Sequence, residues 1–254
     1  KKLINLIFES LNIFILVHYN ISEYNSEPKL INDVQSIAKS FFSNRNAASY
    51  DRIVKYTTFG KDSLWKQNIA NYITPEHKYI LDVACGTGIF SSFISNIPYK
   101  DLIGVDLTYS YISNAKSKKG YSLLVNSMAE LLPFKSESFD CIVSCYLAKY
   151  AKISLMVDET WRLLKKGGLV IFSDFVYPLN KIMRLLWNSY FNILKLAGHI
   201  LKPWKYVFYN LDEVIKRSTW TKDLKIALEK KGFESLDVKY YTGGTSAIIS
   251  AFKI

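Results

Sequence analysis

The stretch Ile80-Leu81-Asp82-Val83-Ala84-Cys85-Gly86-Thr87-Gly88-Ile89-Phe90 decides how the rest of the chain is read. Its first half is an apolar run of the kind a buried parallel strand requires. Its second half breaks into small residues before helical apolar spacing resumes. The pattern predicts strand, tight turn, helix. Gly86 and Gly88 permit a backbone path that side chains block, and a helix starting there directs unpaired N–H groups at the turn, a setting for a carboxylate or phosphate. A dinucleotide fingerprint wants Gly or Ala where Ser91 stands, and a P-loop wants Lys followed by Ser or Thr; neither is present.

A second apolar run, Leu102-Ile103-Gly104-Val105, ends in Asp106. An acid about 20 residues beyond a glycine turn sits at the C-terminal end of the next strand, where it can accept both hydroxyls of a ribose. The alternative is that it simply caps the following helix. Together, Asp82-x-Ala84-x-Gly86-x-Gly88 and Asp106 resemble the first two motifs of class I S-adenosylmethionine-dependent methyltransferases. The resemblance implies an α/β, Rossmann-like sheet, mostly parallel with an antiparallel C-terminal strand and helices on both faces. It also implies S-adenosyl-L-methionine as the cofactor.

The chain has 254 residues, 49% of them apolar, enough to bury a full core. Its formal charge of +11 suits an anionic membrane face or nucleic acid, or reflects a drift toward Lys, Ile, Asn and Tyr. Cys85, Cys141 and Cys145 have neither the number nor the spacing of a disulfide framework or a metal site, and fit a reducing, cytoplasmic setting. His18, His77 and His199 are scattered, so no metal is expected.

Residues 1–33 read as an apolar, amphipathic extension ending in a polar linker. Glu9 and several Asn argue against a membrane span, and a helix lying on a membrane face or against the domain is expected. The methyltransferase domain is expected over 34–254. Within it the strands are expected to end with Tyr121 to Val125, Ser138 to Ser144, a run opening at Leu169, and a hairpin of Phe233 to Tyr241 and Thr245 to Phe252. Helices are expected over Tyr111 to Lys119, 152–166 and Thr221 to Lys231. In the second of these, Glu159 and Arg162 should face outward and Gly167 should supply a left-handed cap.

Between these elements the resemblance narrows. Tyr50-Asp51, Phe59-Gly60 and Leu64-Trp65-Lys66 are similar to the entry segment of the ubiquinone/menaquinone biosynthesis C-methyltransferases. So are Asn126-Ser127-Met128-Ala129-Glu130, Phe139-Asp140, Arg162-Leu163-Leu164-Lys165-Lys166-Gly167-Gly168 and Thr242-Gly243-Gly244. The chain departs from that family's usual pattern at Val54 (Asn), Asp62 (His), Asp174 (Glu) and Lys149-Tyr150 (Arg-Asn). An aromatic and basic insertion at 180–217, with seven basic residues against two acidic ones, reads as a helical lid over a greasy substrate or as an ordinary helical hairpin.

The resemblance implies that the cofactor is held by Asp82, Ala84, Cys85, Gly86, Thr87, Gly88, Asp106, Leu107, Asn126, Ser127, Met128 and Ser144. It implies C-methylation of a prenylated quinol; the position of Lys149 after the fourth strand, beside the cofactor loop, places it to favour the phenolate, with Tyr50, Tyr146 and Tyr150 as aromatic walls. A sulfonium methyl is already activated, so such a site chiefly aligns donor and acceptor and keeps water out. Three other readings remain. One is a methyltransferase of another small molecule or lipid. One is a non-catalytic cofactor-binding module of a membrane complex. The third, a nucleic-acid methyltransferase, lacks the Asn/Asp-Pro-Pro-Tyr and Pro-Cys signatures. Peripheral association with a membrane is expected, and the oligomeric state is not encoded.

Overall fold

In the computed structural model, which describes residues 38, 40–43 and 45–254, the central strand β1 (Tyr79–Val83) is the apolar run before the glycine turn. It pairs in parallel with β2 (Asp101–Asp106) on one side and β4 (Phe139–Cys145) on the other. The sheet extends outward through β3 (Leu123–Asn126) and β5 (Leu164–Phe175), again in parallel. β7 (Ser246–Lys253) then inserts antiparallel between β5 and β6 (Phe233–Tyr241), giving the order β3-β2-β1-β4-β5-β7-β6. Strand order reverses between β1 and β4, and the crevice beyond their C-terminal ends is where an open α/β sheet takes its ligands.

Alternation along the strands sends side chains to two covered faces. Leu81, Val83, Ile103, Ile142 and Phe172 pack under two helices, α4 (Ile153–Leu163) and α7 (Trp220–Lys231). Ile80, Leu102, Cys141 and Ile171 pack under α2 (Lys61–Ala70) and a short 3₁₀ segment, Ile89–Phe93. Burying a Leu or Ile side chain fully is worth roughly 1.5–3 kcal/mol, so these two layers supply most of the driving force for the fold.

A third core lies above the crevice. There α5 (Lys181–Ala197) and α6 (Lys205–Arg217) form a hairpin whose Trp187, Phe191, Trp204 and Phe208 pack with Phe41 and Tyr150. Two shorter helices, α1 (Tyr50–Thr57) and α3 (Tyr109–Ala115), border the crevice from the side.

The structure corrects several expectations from the sequence. The helix after Gly88 is the 3₁₀ segment, because Ser91 and Ser92 turn their hydroxyls back onto the carbonyls of Gly88 and Ile89. The helix expected over 152–166 stops at Leu163, where Leu164 already pairs with Phe139, and Gly167 at φ 73° lies inside β5. Glu159 is buried, not outward. It accepts the Leu132 N–H at 2.7 Å and bonds Arg162, whose guanidinium also reaches the carbonyls of Leu132 and Phe134. That pair pins the loop after β3. The N-terminal extension of 1–33 lies outside the described residues.

Candidate active site

The glycine turn leaves the sheet through three residues in the left-handed region, Ala84 (φ 60°), Gly86 (φ 56°) and Gly88 (φ 79°). A Cβ on Gly88 would meet the Tyr121 ring at 3.0 Å and Ala115 Cβ at 3.1 Å, so the turn lies directly on α3 and its exit. Asp106, at the tip of β2, fixes the other side. Its two carboxylate oxygens accept the Gly86 N–H at 2.9 Å and the Thr108 N–H at 2.8 Å. An ionised carboxylate offers about four acceptor directions, so capacity for two hydroxyls remains. Burial raises the Asp106 pKa, and the two backbone donors oppose that shift. Thr108 holds the N-cap position of α3 without a side-chain capping bond, so Asp106 braces both the glycine turn and the entry to α3.

Asp106 stands where two connected chambers meet, both lined also by Ala38, Ala84, Leu107, Leu147 and Tyr150. The larger has about 610 Å³ of empty space, partly open to solvent, and runs past Gly86 to Phe42, Tyr50, Tyr111, Cys145 and Tyr146. The other runs past Val105 to Ser127, Met128, Ala129 and Glu130. Among the expected site residues, the structure thus brings together Tyr50, Tyr146, Ala84, Gly86, Asp106, Leu107, Ser127 and Met128.

The remaining expected residues stand behind this surface. Asn126 donates to the carbonyls of Asp106 and Leu107, both at 2.8 Å, and clamps the β2 tip. Thr87 donates to Asp51 of α1. Cys85 is buried with its sulfur toward Gly104, and burial raises its thiol well above the usual range. Asp82 accepts the Tyr121 hydroxyl at 2.6 Å, and burial pushes its carboxyl up to about 7. Ser144 is buried on β4, and its hydroxyl meets no partner among the described residues.

Lys149 departs furthest from expectation. Its ammonium lines neither chamber: it bonds Asp174 Oδ1 at 2.7 Å and the Tyr146 carbonyl at 2.8 Å. Both side chains of this pair are fully buried, and burial lowers the lysine's pKa against the pull of Asp174. The charge lies 4.3 Å from the centre of the Tyr150 ring and 5.7 Å from that of Tyr146, so it sits under the aromatic walls.

Three features escaped the sequence. Asp62, noted only as a departure from the family pattern, accepts the Tyr146 hydroxyl at 2.6 Å and also binds the Lys66 ammonium. Phe42 and Tyr111 join Tyr50 in a set of edge-on rings, with centroids 5.2 to 6.3 Å apart. Tyr150, on the wall both chambers share, has a buried hydroxyl with no partner among the described residues. Trp65, by contrast, packs on Phe175 and donates to Thr242, a structural role.

The double chamber suits an elongated ligand with a diol at its middle. S-adenosyl-L-methionine would fit it, and Gly86, Asp106, Ser127 and Met128 are among the residues that would hold it.

Comparison with known proteins agrees. The chain is 29% identical over 236 residues to a protein named ubiquinone/menaquinone biosynthesis C-methyltransferase UbiE from Rickettsia bellii, covering 88% of this chain and 95% of that one. It is 25% identical to the mitochondrial 2-methoxy-6-polyprenyl-1,4-benzoquinol methylase of Dictyostelium discoideum, over 93% of this chain and 86% of that one. Among solved structures, the plantazolicin methyltransferase BpumL in complex with SAH shares the fold, with a TM-score of 0.61 at 15% identity over 88% of this chain and 98% of that one. A SAM-dependent methyltransferase from Thermotoga maritima gives a TM-score of 0.59 at 22% identity, over 83% of this chain and 98% of that one. The model of the ubiE/COQ5 methyltransferase family matches residues 31–253, and the chain belongs to that family of S-adenosylmethionine-dependent methyltransferases.

Proposed function

We propose that the protein methylates a ring carbon of a prenylated quinol, a demethylmenaquinol or a related benzoquinol, in respiratory quinone biosynthesis. One observation carries this reading beyond the names of the relatives. The chamber beyond the glycine turn is walled by Phe42, Tyr50, Tyr111, Tyr146 and Tyr150, and one wall hydroxyl is backed by a buried carboxylate. Such a chamber suits a flat aromatic ring with an ionisable hydroxyl.

S-adenosylmethionine, when bound, supplies an already activated methyl group. The chain's residues then have three tasks. The rings of Tyr50 and Tyr150 hold the acceptor flat and exclude water, so that a ring carbon meets the methyl in line. Tyr146 Oη takes the quinol's hydroxyl proton as its own proton passes to Asp62, leaving a phenolate whose charge enriches the ring carbon. That carbon takes the methyl, which leaves the cofactor as its neutral thioether; the carbon's proton passes to solvent and Asp62 returns its proton through Tyr146 to the ring oxygen, which restores the aromatic quinol. Lys149, held by Asp174 beneath the Tyr146 and Tyr150 rings, acts through them as a positioning residue.

The test is methyl transfer to a short-tailed prenylated quinol in its reduced and oxidised forms. Transfer to the reduced form alone is expected. Cofactor binding without transfer to any such quinol would favour another small-molecule or lipid acceptor, or a non-catalytic module. Peripheral association with the membrane that carries such an acceptor belongs to the same reading.

A further inference from the structure

The helix α5 is apolar on two faces. Inward it buries Trp187, Phe191 and Leu194 against Phe41 and Tyr150. Outward it presents Ile182, Leu185, Leu186, Ile193 and Leu196, with Ile200 just past its end, and Ile182 and Ile200 are 71% and 85% exposed. These positions fall three, four or seven apart and so form one stripe. A helix apolar all round is ordinarily buried or membrane-facing, and a contiguous aliphatic patch of this kind marks an interaction surface.

The charge around the stripe points to the partner. No acidic residue occurs between Asp174 and Asp212, whereas Lys181, Arg184, Lys195, Lys202 and Lys205 do. Lys181, Lys202 and Lys205 are exposed and make no ion pair among the described residues. Tyr206 and Tyr209, on the next helix, are exposed beside them, amphipathic rings of the type found at membrane interfaces. A second copy of the chain, joined about a two-fold axis, would set this basic rim against itself. An anionic bilayer instead meets it with opposite charge. No helix among the described residues is long and apolar enough to cross a membrane, so the fitting geometry is a helix lying in the interface plane.

We infer that the outer face of α5 is the surface by which the protein docks on an anionic lipid bilayer, with its aliphatic stripe in the acyl boundary and Lys181, Lys202 and Lys205 on the headgroups. This deepens the membrane part of the proposed function by naming the surface. Because the inner face of α5 packs on Tyr150, docking sets the lid of the acceptor chamber against the lipid that would deliver a prenylated substrate.

The test is co-sedimentation of the 254-residue chain with phosphatidylcholine vesicles containing phosphatidylglycerol. It needs no acceptor, so its failure is distinct from failure of the quinol reading, which turnover on a water-soluble quinol reports. The parent should sediment with the vesicles. Ile182→Glu combined with Leu186→Glu should weaken partitioning about a hundredfold, from the loss of two buried aliphatic side chains. The same variant should keep the parent's melting temperature and cofactor affinity. Lys202→Ala with Lys205→Ala should weaken binding roughly tenfold or more on anionic vesicles and leave neutral ones unaffected. Should the Glu pair disturb folding, Ile182→Gln with Leu186→Gln gives the same reading. Parent-like partitioning of the stripe variants would overturn the inference and place the membrane contact elsewhere. A parent that ignores vesicles, or one that forms a dimer abolished by the stripe variants, would overturn it equally.

Discussion

Tyr146 donates its hydroxyl to Asp62 Oδ1 at 2.6 Å, joining the chain just past β4 to α2 behind the wall of the larger chamber. Tyr146 holds this position at φ 66°, a conformation that costs a non-glycine residue roughly 1–3 kcal/mol. Phe175 stacks on its ring at 4.8 Å and Lys66 lies 4.7 Å from its centre, which fixes the phenol in place. Burial raises its pKa well above 10, with the Asp62 charge adding to the effect, so Tyr146 stands as a neutral phenol.

Replacing that hydroxyl is therefore informative. Tyr146→Phe keeps the ring and its stacking but breaks the path from acceptor to Asp62. General acid–base groups contribute on the order of a hundredfold or more in rate, and a loss of that size is expected in single-turnover methyl transfer. Cofactor affinity, measured in parallel, should stay within about twofold. An unchanged transfer rate would remove Tyr146 from the mechanism.

Lys149→Met reads out stability first. It leaves the Asp174 carboxylate buried and unpaired, and breaking a buried pair costs about 3–5 kcal/mol. Thermal melting should show a drop of many degrees. Adding Asp174→Asn should recover most of it. If the single variant melts like the parent, the pair does not hold the chamber's floor.

Asp106→Ala removes two acceptors for the proposed ribose hydroxyls and the brace on Gly86. Hydrogen bonds to a charged group are worth roughly 1.5–3 kcal/mol, so calorimetric titration should show cofactor affinity ten- to a hundredfold weaker. Parent-like affinity would dismiss Asp106 as the ribose acceptor.

Asp82 gives a pH signature. Its folded pKa of about 7 lies above the ordinary carboxylate value, chiefly through burial. The folded state therefore binds more protons than the unfolded chain between about pH 4 and 7, and stability falls as pH rises through that window. A shift of about three units corresponds to roughly 4 kcal/mol at most. Asp82→Asn still accepts from Tyr121 and should flatten that part of the stability profile in denaturant titrations at pH 5 and 8. An unflattened slope would show that other groups set it.

The chain's β1 run, its glycines and Asp106 were legible because each is a local pattern: an apolar strand, a left-handed turn, and an acid one crossover later. The C-terminal hairpin was legible for the same reason, with Gly243 and Gly244 marking its reversal. Spacing failed where polar side chains find internal partners. Glu159 counts as outward by periodicity, yet the Leu132 N–H and Arg162 satisfy it inside. Ser91 and Ser92 compete with the helical hydrogen bonds that the apolar spacing promised. Lys149 was placed near the chamber by its strand, but its partner Asp174 lies 25 residues on, and one sequence does not register that pairing. The contact of Asp62 with Tyr146, 84 residues apart, is beyond any local signal.

The most direct measurement of the central claim supplies S-adenosylmethionine with a deuterated methyl group, together with a reduced short-tailed prenylated quinol, and locates the label in the product by mass spectrometry and NMR. The account predicts the label on a ring carbon, with none formed from the oxidised quinone. Label on an oxygen, or no labelled quinol while the cofactor binds normally, would contradict it.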